Sequence, residues 1–287
     1  MILFFFILVF LSILLLFYRA YQNTHKVILN KVHLSHIDSD QLQGPHLNIL
    51  HISDMHLEKI SVSPEQLYNK LAGEKIDLIA LTGDYLDKKR SIPKLIPYLN
   101  VFNKLNPCYG VYVVFGNHDY KLKQVDFERL RNTLELHGCK TLQNENDTIM
   151  VEGSPVHIIG IDDLHTKRSN LQSSYSGIMD GYHLVLTHDP NIVLSMKDWD
   201  FDYLLSGHFH GGQIYWPKPY HLAKLGRTMM QMNMIKGLHY HEDKPFYISE
   251  GLGQTSINIR LGSRPEITLH QLSLNKKMRE KEVQAAV

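Results

Sequence analysis

The chain has 287 residues, of which 44% are hydrophobic and 21% are charged. This composition is typical of a globular protein large enough to bury one full-sized core. The formal net charge of +1 gives no reason to expect nucleic-acid binding. The two cysteines, Cys108 and Cys139, are too few for a disulfide framework or a thiolate zinc site. A metal in this chain would therefore need His, Asp, Asn or Glu ligands.

The first 18 residues, MILFFFILVFLSILLLFY, contain no charged side chain. Their length is close to the roughly 20 apolar residues that cross a bilayer, so residues 1–18 are predicted to be a single-pass membrane anchor. A cleaved signal peptide is the alternative, but no basic residue precedes the run and no A-x-A pattern follows it. Arg19, Lys26 and Lys31 follow the run, which favours the cytoplasmic side for the rest of the chain.

Residues 19–46 are mixed and polar without a clear period, and they are interpreted as a tether. A regular alternation of strand and helix patterns follows. Strands are predicted at 47–53, 76–82 and 111–115, and helices at 64–73, 92–105 and 124–137. The continuous apolar run at 76–82 is typical of a strand buried on both faces, and the βαβαβα order predicts an α/β fold with parallel strands.

The second half contains short strand patterns with few long helices between them. These lie at 156–161, 183–188, 202–208, 245–251 and 266–272, and they favour a second sheet packed on the first. The main domain is therefore expected to span residues 47–272. Residues 273–287 are interpreted as a charged tail, with a solvated helix or frayed end at 275–284.

Polar clusters follow five of the predicted strands. The first three strands are followed by SDMH (53–56), TGDY (82–85) and GNHD (116–119), and two later strands by THDP (187–190) and SGHFHGGQ (206–213). Ligands of open α/β sheets gather at the carboxyl ends of the strands, so these clusters are expected to converge. Each motif alone is an ordinary turn, and their joint, ordered occurrence carries the prediction.

The converging donors suit a site for two divalent ions. They are oxygen and imidazole donors, which suit Mn, Fe or Zn: Asp54, His56, Asp84, Asn117, His188, His208 and His210. One carboxylate can bridge two ions about 3.5–4 Å apart, and Asp84 is the natural bridge because it comes alone from a central strand. The spacing of His208 and His210 would place both imidazoles on one side of an extended segment.

The ordered series DxH, GD, GNHD, H, GHxH resembles the calcineurin-like metallophosphoesterases, in particular a membrane-anchored bacterial type. The resemblance covers residues 48–213 well and the strands to about 272 more loosely. It implies a two-sheet β-sandwich flanked by helices, with one N-terminal transmembrane helix here. It also implies two ligand sets: Asp54, His56, Asp84 and His210 for one ion, and Asp84, Asn117, His188 and His208 for the other.

The resemblance gives His118 a catalytic role rather than a ligand role. His118 would face the scissile phosphate, as general acid to the leaving oxygen or as a charge stabiliser, and Asp119 would orient its ring. The implied enzyme is a dinuclear-metal-dependent phosphohydrolase in which a metal-activated water attacks a phosphodiester or pyrophosphate of a lipid-linked or cell-envelope substrate. The alternatives are a phosphomonoesterase or cyclic-nucleotide phosphodiesterase, or a non-catalytic membrane-bound interaction protein. The pattern indicates no oligomeric state.

Several further residues have less specific interpretations. His51 and His183 are expected to be packing or surface residues, and His239 and His241 are not expected to bind a third metal. Asp163 is interpreted as a turn residue, with a carboxylate behind the metal ligands as the alternative. Arg260 and Arg264 could meet a phosphate or a head group, but solvated charges are the default expectation. Residues 214–238 are either an amphipathic lid that meets lipid or a loop with a short helix that covers the core.

Overall fold

The computed structural model describes residues 1–34, 44–215, 219 and 222–274. The chain begins with helix α1 (Ile2–Asn23) and then forms two six-stranded sheets. The first sheet has, in spatial order, β1 (Ile28–Leu34), β12 (Glu266–Ser273), β2 (His46–Ile52), β3 (Leu78–Thr82), β4 (Val111–Val114) and β5 (Cys139–Thr141). The second has β10 (Gly237–His241), β11 (Lys244–Ile248), β9 (Tyr203–Ser206), β8 (Tyr182–Leu186), β7 (Ser154–Gly160) and β6 (Glu145–Val151).

The central strands of both sheets run parallel. In the first sheet β2, β3, β4 and β5 are parallel neighbours, while β12 is antiparallel to β2 and parallel to β1. In the second sheet β7, β8, β9 and β11 are parallel, and antiparallel β6 and β10 close the edges. The predicted α/β architecture of two sheets with flanking helices is confirmed.

The helices lie between strands and on the outer faces of the sheets. They are α2 (Pro64–Leu71), α3 (Ile92–Leu105), α4 (Gln124–Leu136), α5 (Leu171–Ser174), α6 (Leu222–Leu225) and α7 (Arg227–Gln231), with single 3₁₀ turns at Lys89–Ser91, Asp119–Lys121, Pro190–Ser195 and His210–Gly212. Helix α2 begins where the sequence predicts, because Pro64 follows a capping box in which Ser63 and Gln66 satisfy each other's backbone N–H groups.

Apolar side chains form three packed layers. The layer between the sheets contains Leu47, Leu78, Tyr112, Leu184 and Leu205, all fully buried. A second layer packs the first sheet against α2, α3 and α4, and a third covers the outer face of the second sheet. Burial on both faces explains why the central strands appear as continuous apolar runs in the sequence.

The structure differs from the prediction of a tether over residues 19–46, because parts of this segment form regular elements. Helix α1 continues to Asn23, and residues 28–34 form β1, which pairs with β12 from Ile28 to Leu34. The alternation of β1 is weak because its side chains are all exposed or only partly buried. Three other strands, β5, β6 and β10, were not predicted. The tail over 273–287 lies outside the described residues from residue 275 onward.

Candidate metal centre

The carboxyl ends of five parallel strands bring the predicted donors together. Asp54 and His56 follow β2, Asp84 follows β3, and Asn117 follows β4 in the first sheet. His188 follows β8, and His208 and His210 follow β9, in the second. The two sheets therefore contribute opposite walls of one site, although its residues span more than half of the sequence.

One group of donors is formed by Asp54, His56 and His210. The Nε2 atom of His210 lies 3.2 Å from Oδ1 of Asp54 and 3.1 Å from Nε2 of His56. All three residues are buried, and Nδ1 of each histidine has no hydrogen-bond partner. Burial lowers the pKa of His56 to about 3 and that of His210 well below its ordinary value, so both imidazoles are neutral, as metal ligation requires.

A second group is formed by Asp84, His188 and His208. Nε2 of His188 lies 3.2 Å from Oδ2 of Asp84 and 3.1 Å from Nδ1 of His208. On the other side of its ring, Nδ1 of His188 lies 2.7 Å from the carbonyl oxygen of Thr82. A carbonyl can only accept, so Nδ1 carries a proton and Nε2 is the nitrogen that faces the site.

Asp84 joins the two groups. Its Oδ2 atom lies 3.5 Å from Nε2 of His56 in the first group and 3.2 Å from Nε2 of His188 in the second. Its other oxygen accepts a 2.8 Å hydrogen bond from the backbone N–H of His118, which fixes the carboxylate. A single oxygen in reach of both groups is the geometry that a bridging carboxylate requires.

The charges of the two groups call for cations. Burial raises the pKa of Asp54 to about 6, with the neighbouring Asp84 adding to the increase. Burial opposes protonation of His188, yet the Asp84 carboxylate outweighs it and raises the pKa of His188 well above its ordinary value. The buried carboxylates therefore favour bound protons on Asp54 and His188. Divalent ions bound at these groups would supply the positive charge in place of those protons. The buried and unpartnered Oδ1 of Asn117 and Nε2 of His208 add donor capacity.

The donors are held in unusual backbone conformations. Asp54, His56, Asp84, His208 and His210 all have positive φ angles, between 41° and 72°. Residues other than glycine rarely adopt this left-handed region, and such strain concentrates at functional sites. Close approach of backbone adds to the constraint: a Cβ atom on Gly207 would lie 2.3 Å from Oδ2 of Asp54, and one on Gly116 would lie 2.3 Å from Oδ1 of Asp84.

His118 lies beside the two groups and is partly exposed. Its Nε2 atom is 4.0 Å from Oδ2 of Asp84, its side chain is 19% exposed, and Nδ1 donates to Oδ1 of Asp87. Burial alone would lower the pKa of His118, but the hydrogen bond to Asp87 and the nearby Asp84 carboxylate outweigh it and raise the pKa. His118 therefore lies at the edge of the site with its charged form favoured by two neighbouring carboxylates. Sequence analysis missed Asp87, and its position three residues after Asp84 was the only available signal.

Asp119 has a different role from the predicted one. It is fully buried, and its carboxylate does not orient the His118 ring. Its oxygens accept hydrogen bonds at 2.9 Å from the backbone N–H groups of Asp84, Tyr85 and Gly116. Asp119 thus fastens the loop after β3 to the loop after β4 and positions Asp84 through the backbone.

Other candidate residues lie apart from these two groups or pack behind them. His51 is buried, with Nε2 2.8 Å from Thr82 Oγ1, and Asp163 caps a turn through Thr166, as predicted. The expectation that Arg260 is solvated is wrong, since it is fully buried and bonded to four carbonyl oxygens. His165, which sequence analysis did not consider, has its ring centroid 5.5 Å from that of His208.

The segment at 214–238 is described only in part, because residues 216–218 and 220–221 are outside the described ranges. Leu222 and Met229, from α6 and α7, are fully buried in the layer on the outer face of the second sheet. Its described helices therefore cover the core, which favours that interpretation for them. Neither His239 nor His241 belongs to a cluster of potential metal ligands within the described residues.

A family model described as calcineurin-like phosphoesterase matches residues 47–212. The chain belongs to the calcineurin-like phosphoesterase family. This phosphoesterase is 61% identical over 266 residues to an uncharacterized metallophosphoesterase, YkoQ, of Bacillus subtilis strain 168, covering 93% of this chain and 97% of that one. It is 26% identical over 227 residues to phosphodiesterase YaeI of Escherichia coli K12, covering 78% and 81% of the two chains.

The fold of this phosphoesterase also resembles a solved structure. Phosphopantetheinyl hydrolase from Mycobacterium tuberculosis aligns with a TM-score of 0.50 and 11% identity, covering 82% of this chain and 98% of that one. At this identity the likeness concerns the fold alone. The family prediction made from the ordered motifs is confirmed, and the phosphoesterase is a hydrolase that acts on phosphoester bonds. Helix α1, with 22 residues, is long and apolar enough to cross a membrane as an anchor or to serve as a signal sequence.

Proposed function

We propose that the protein is a membrane-anchored, two-metal phosphohydrolase that cleaves phosphodiester or pyrophosphate bonds of a lipid-linked or cell-envelope substrate. The observation that carries this proposal is the placement of Asp84 between two buried groups of donors. Asp54, His56, Asp84 and His210 would hold one divalent ion, and Asp84, Asn117, His188 and His208 the other. Mn, Fe and Zn all suit this mixed set of oxygen and imidazole ligands.

The metal pair, when bound, would neutralise the charge of the anionic phosphoester and lower the pKa of a water molecule, so that hydroxide is available to attack the phosphorus near neutral pH. The chain's own residues do the rest. Thr82 holds the proton on Nδ1 of His188, so that its other nitrogen faces the site. Asp119 positions Asp84 by binding its backbone N–H. No covalent nucleophile is invoked, because a metal-activated water would supply the attacking oxygen, and the hydroxyl of Ser53, beside Asp54, donates a 2.6 Å hydrogen bond to the Asp54 carboxylate.

His118 is proposed to donate a proton to the leaving oxygen. The Nδ1–H group of His118 donates to Oδ1 of Asp87, and Nε2 is the ring nitrogen that lies 4.0 Å from Oδ2 of Asp84. The hydrogen bond to Asp87 and the nearby Asp84 carboxylate raise the pKa of His118, which favours the charged imidazole that a general acid or a charge stabiliser requires. This arrangement speaks against a non-catalytic role, because a purely structural metal site has no use for a carboxylate-paired imidazole at its edge that is not itself a proposed ligand.

A diester preference is supported by the name of one relative, phosphodiesterase YaeI, and the membrane-linked substrate by the apolar helix α1. A phosphomonoesterase or cyclic-nucleotide phosphodiesterase is the second candidate. Hydrolysis of bis-p-nitrophenyl phosphate and p-nitrophenyl phosphate, with manganese and then with a chelator, separates the candidates. Metal-dependent activity on the diester alone would agree with the proposal. Activity on the monoester alone would contradict it, and bound metal without any activity would favour an interaction protein.

The proposed anchor has its own test. Removing residues 1–19 should release a soluble protein that keeps its activity on soluble diesters, while the full chain stays with the membrane fraction. Membrane association of the shortened protein would move the anchoring role to another surface. Recovery of the native protein without its N-terminal helix would instead identify α1 as a cleaved signal sequence.

A further inference from the structure

The base of helix α1 is bound to the catalytic domain at one loop. The backbone N–H of Arg260 donates to the carbonyl oxygen of Ala20 at 2.9 Å, and the Asn23 amide donates to the carbonyl oxygen of Arg260 at 3.0 Å. The Thr24 hydroxyl donates to Ser61 Oγ at 2.8 Å. Ala20 and Thr24 are buried in this contact. We call residues 255–261 the docking loop; it fixes where α1 leaves the domain.

The docking loop is also bound to the metal centre from one side through Gln213. Gln213 lies three residues after His210, and its Nε2 donates to the carbonyl oxygens of Thr255 and Ile257, both at 3.0 Å. Its Oε1 accepts from the backbone N–H of Thr255 at 2.9 Å. The loop that carries two of the proposed metal ligands is thus fastened to the loop that receives the helix.

A second connection runs through the Arg260 side chain. Its buried guanidinium donates to the carbonyl oxygens of Gly251 and Gly253, at 2.9 and 2.6 Å. The backbone N–H of Gly253 in turn donates to the carbonyl oxygen of Asp54 at 2.7 Å. The metal centre and the base of the helix therefore share the docking loop, and they cannot reorient independently without breaking buried hydrogen bonds.

The length of α1 sets the depth of this loop. Its apolar part, from Ile2 to Tyr18, spans about 26 Å at about 1.5 Å per residue, a little less than a hydrocarbon core of roughly 30 Å. The exposed Arg19 marks the end of the apolar run, and Ala20 follows directly. Each polar layer of a bilayer is only about 5–8 Å thick. A loop hydrogen-bonded to Ala20 must then lie within or against the headgroup layer.

The surface of the docking loop suits that location. Ile257 is 57% exposed, and the neighbouring Ile214, which forms a β-bridge with Leu261, is 37% exposed. Lys26, just beyond the base of α1, is also exposed. Exposed apolar side chains, together with a basic side chain near the base of an apolar helix, are typical of surfaces that enter the interface of a membrane.

We propose that the docking loop, with Ile257 and Ile214, is a membrane-contact surface that holds the metal centre beside the lipid headgroups. The site would then receive phosphoesters of amphiphiles from the bilayer itself rather than from bulk solution. This inference rests on the proposed function in one respect, namely that α1 is retained as an anchor. The partner is the bilayer surface, because the loop is continuous with the helix that enters it.

Position-specific quenching by brominated lipids tests the contact without any need for activity. The full chain, with Cys108 and Cys139 replaced by serine, is reconstituted in nanodiscs with a fluorophore on Leu11→Cys, Ile257→Cys or Met150→Cys. These three positions are similarly exposed, at 54%, 57% and 57%, and Met150 lies on β6 at the far edge of the second sheet. We expect strong quenching at 11 and about threefold more at 257 than at 150. Equal quenching at 257 and 150, or none at 11, would overturn the proposal.

A substrate comparison separates this inference from the proposed function. Ile257→Glu should lower hydrolysis of hexadecyl p-nitrophenyl phosphate in phosphatidylcholine vesicles about tenfold, because a charge at this depth opposes membrane contact. It should leave hydrolysis of soluble bis-p-nitrophenyl phosphate unchanged, and the matched Met150→Glu should change neither. Equal losses on both substrates would refute the membrane-contact surface. An unmodified protein that cleaves neither substrate, but shows the expected quenching, would refute the proposed function and keep the surface.

Discussion

The pairing of His118 with Asp87 gives the most discriminating prediction about the chemistry. If Asp87 acts only through His118, then Asp87→Asn should lower kcat while leaving both metal ions in place. A hydrogen bond to a charged group contributes about 1.5–3 kcal/mol, or roughly 10- to 100-fold in rate. The Asp87 side chain is 35% exposed and that of His118 19%, so solvent screening places the expected loss near the lower end, at about tenfold.

The same change should alter the pH profile in a defined direction. His118 must be protonated to act as an acid, so its pKa sets the alkaline limb of the kcat profile. The hydrogen bond to Asp87 raises that pKa, and the carboxylate is lost in Asp87→Asn. The alkaline limb should therefore move to lower pH. Asp147→Asn is the matched control, since that carboxylate is 34% exposed and pairs with Lys140 far from the donor groups.

A double-mutant cycle tests whether the two residues act as one unit. His118→Ala should lower kcat by about 10²- to 10⁴-fold, and more for a phenyl leaving group than for p-nitrophenyl if His118 is the acid. Adding Asp87→Asn to His118→Ala should cost nothing further. Additive losses, an unmoved pH limb or loss of metal in either single variant would refute the reasoning. Metal content is measured by mass spectrometry of each purified variant.

Three further outcomes follow from the structure. Asp84→Asn should lose both ions together, measured by metal analysis, and a variant that retains a full pair would rule out bridging. Gly207→Ala should unfold at a lower temperature than the wild type and bind metal weakly, because its Cβ would lie 1.9 Å from Ser53 Oγ and 2.3 Å from Asp54 Oδ2. An unfolding temperature equal to that of the wild type would contradict this close contact. Burial raises the pKa of Glu266 from 4.5 to about 7 in the folded protein, so between these pH values the unfolded chain releases a proton that the folded protein retains. As pH rises through this window, the wild type should therefore lose up to about 3 kcal/mol of unfolding free energy relative to Glu266→Gln. Parallel pH curves, in denaturant titrations of the two proteins, would show that this carboxyl ionises freely.

Strong local patterns were sufficient for most of the elements. The apolar run at 76–82 and the helix at 92–105 were readable because their buried apolar residues recur within one short window of sequence. Strand β1 was not readable in this way, because its side chains are exposed or half-buried and its strand partner, β12, lies more than 200 residues later. Pairing at that distance leaves no periodic trace in a short window of sequence.

The sequence by itself determined the kinds of donor and their order, since each donor follows a strand whose apolar pattern is local. Only the tertiary structure decided which side chains meet. Asp119 is next to His118 in the chain, yet its carboxylate turns inward to backbone N–H groups, and Asp87 reaches the ring instead. Arg260 is likewise buried between the base of α1 and the Asp54 loop. Both outcomes depend on how loops from separate strands pack, and adjacency along a chain does not determine adjacency of side chains in space.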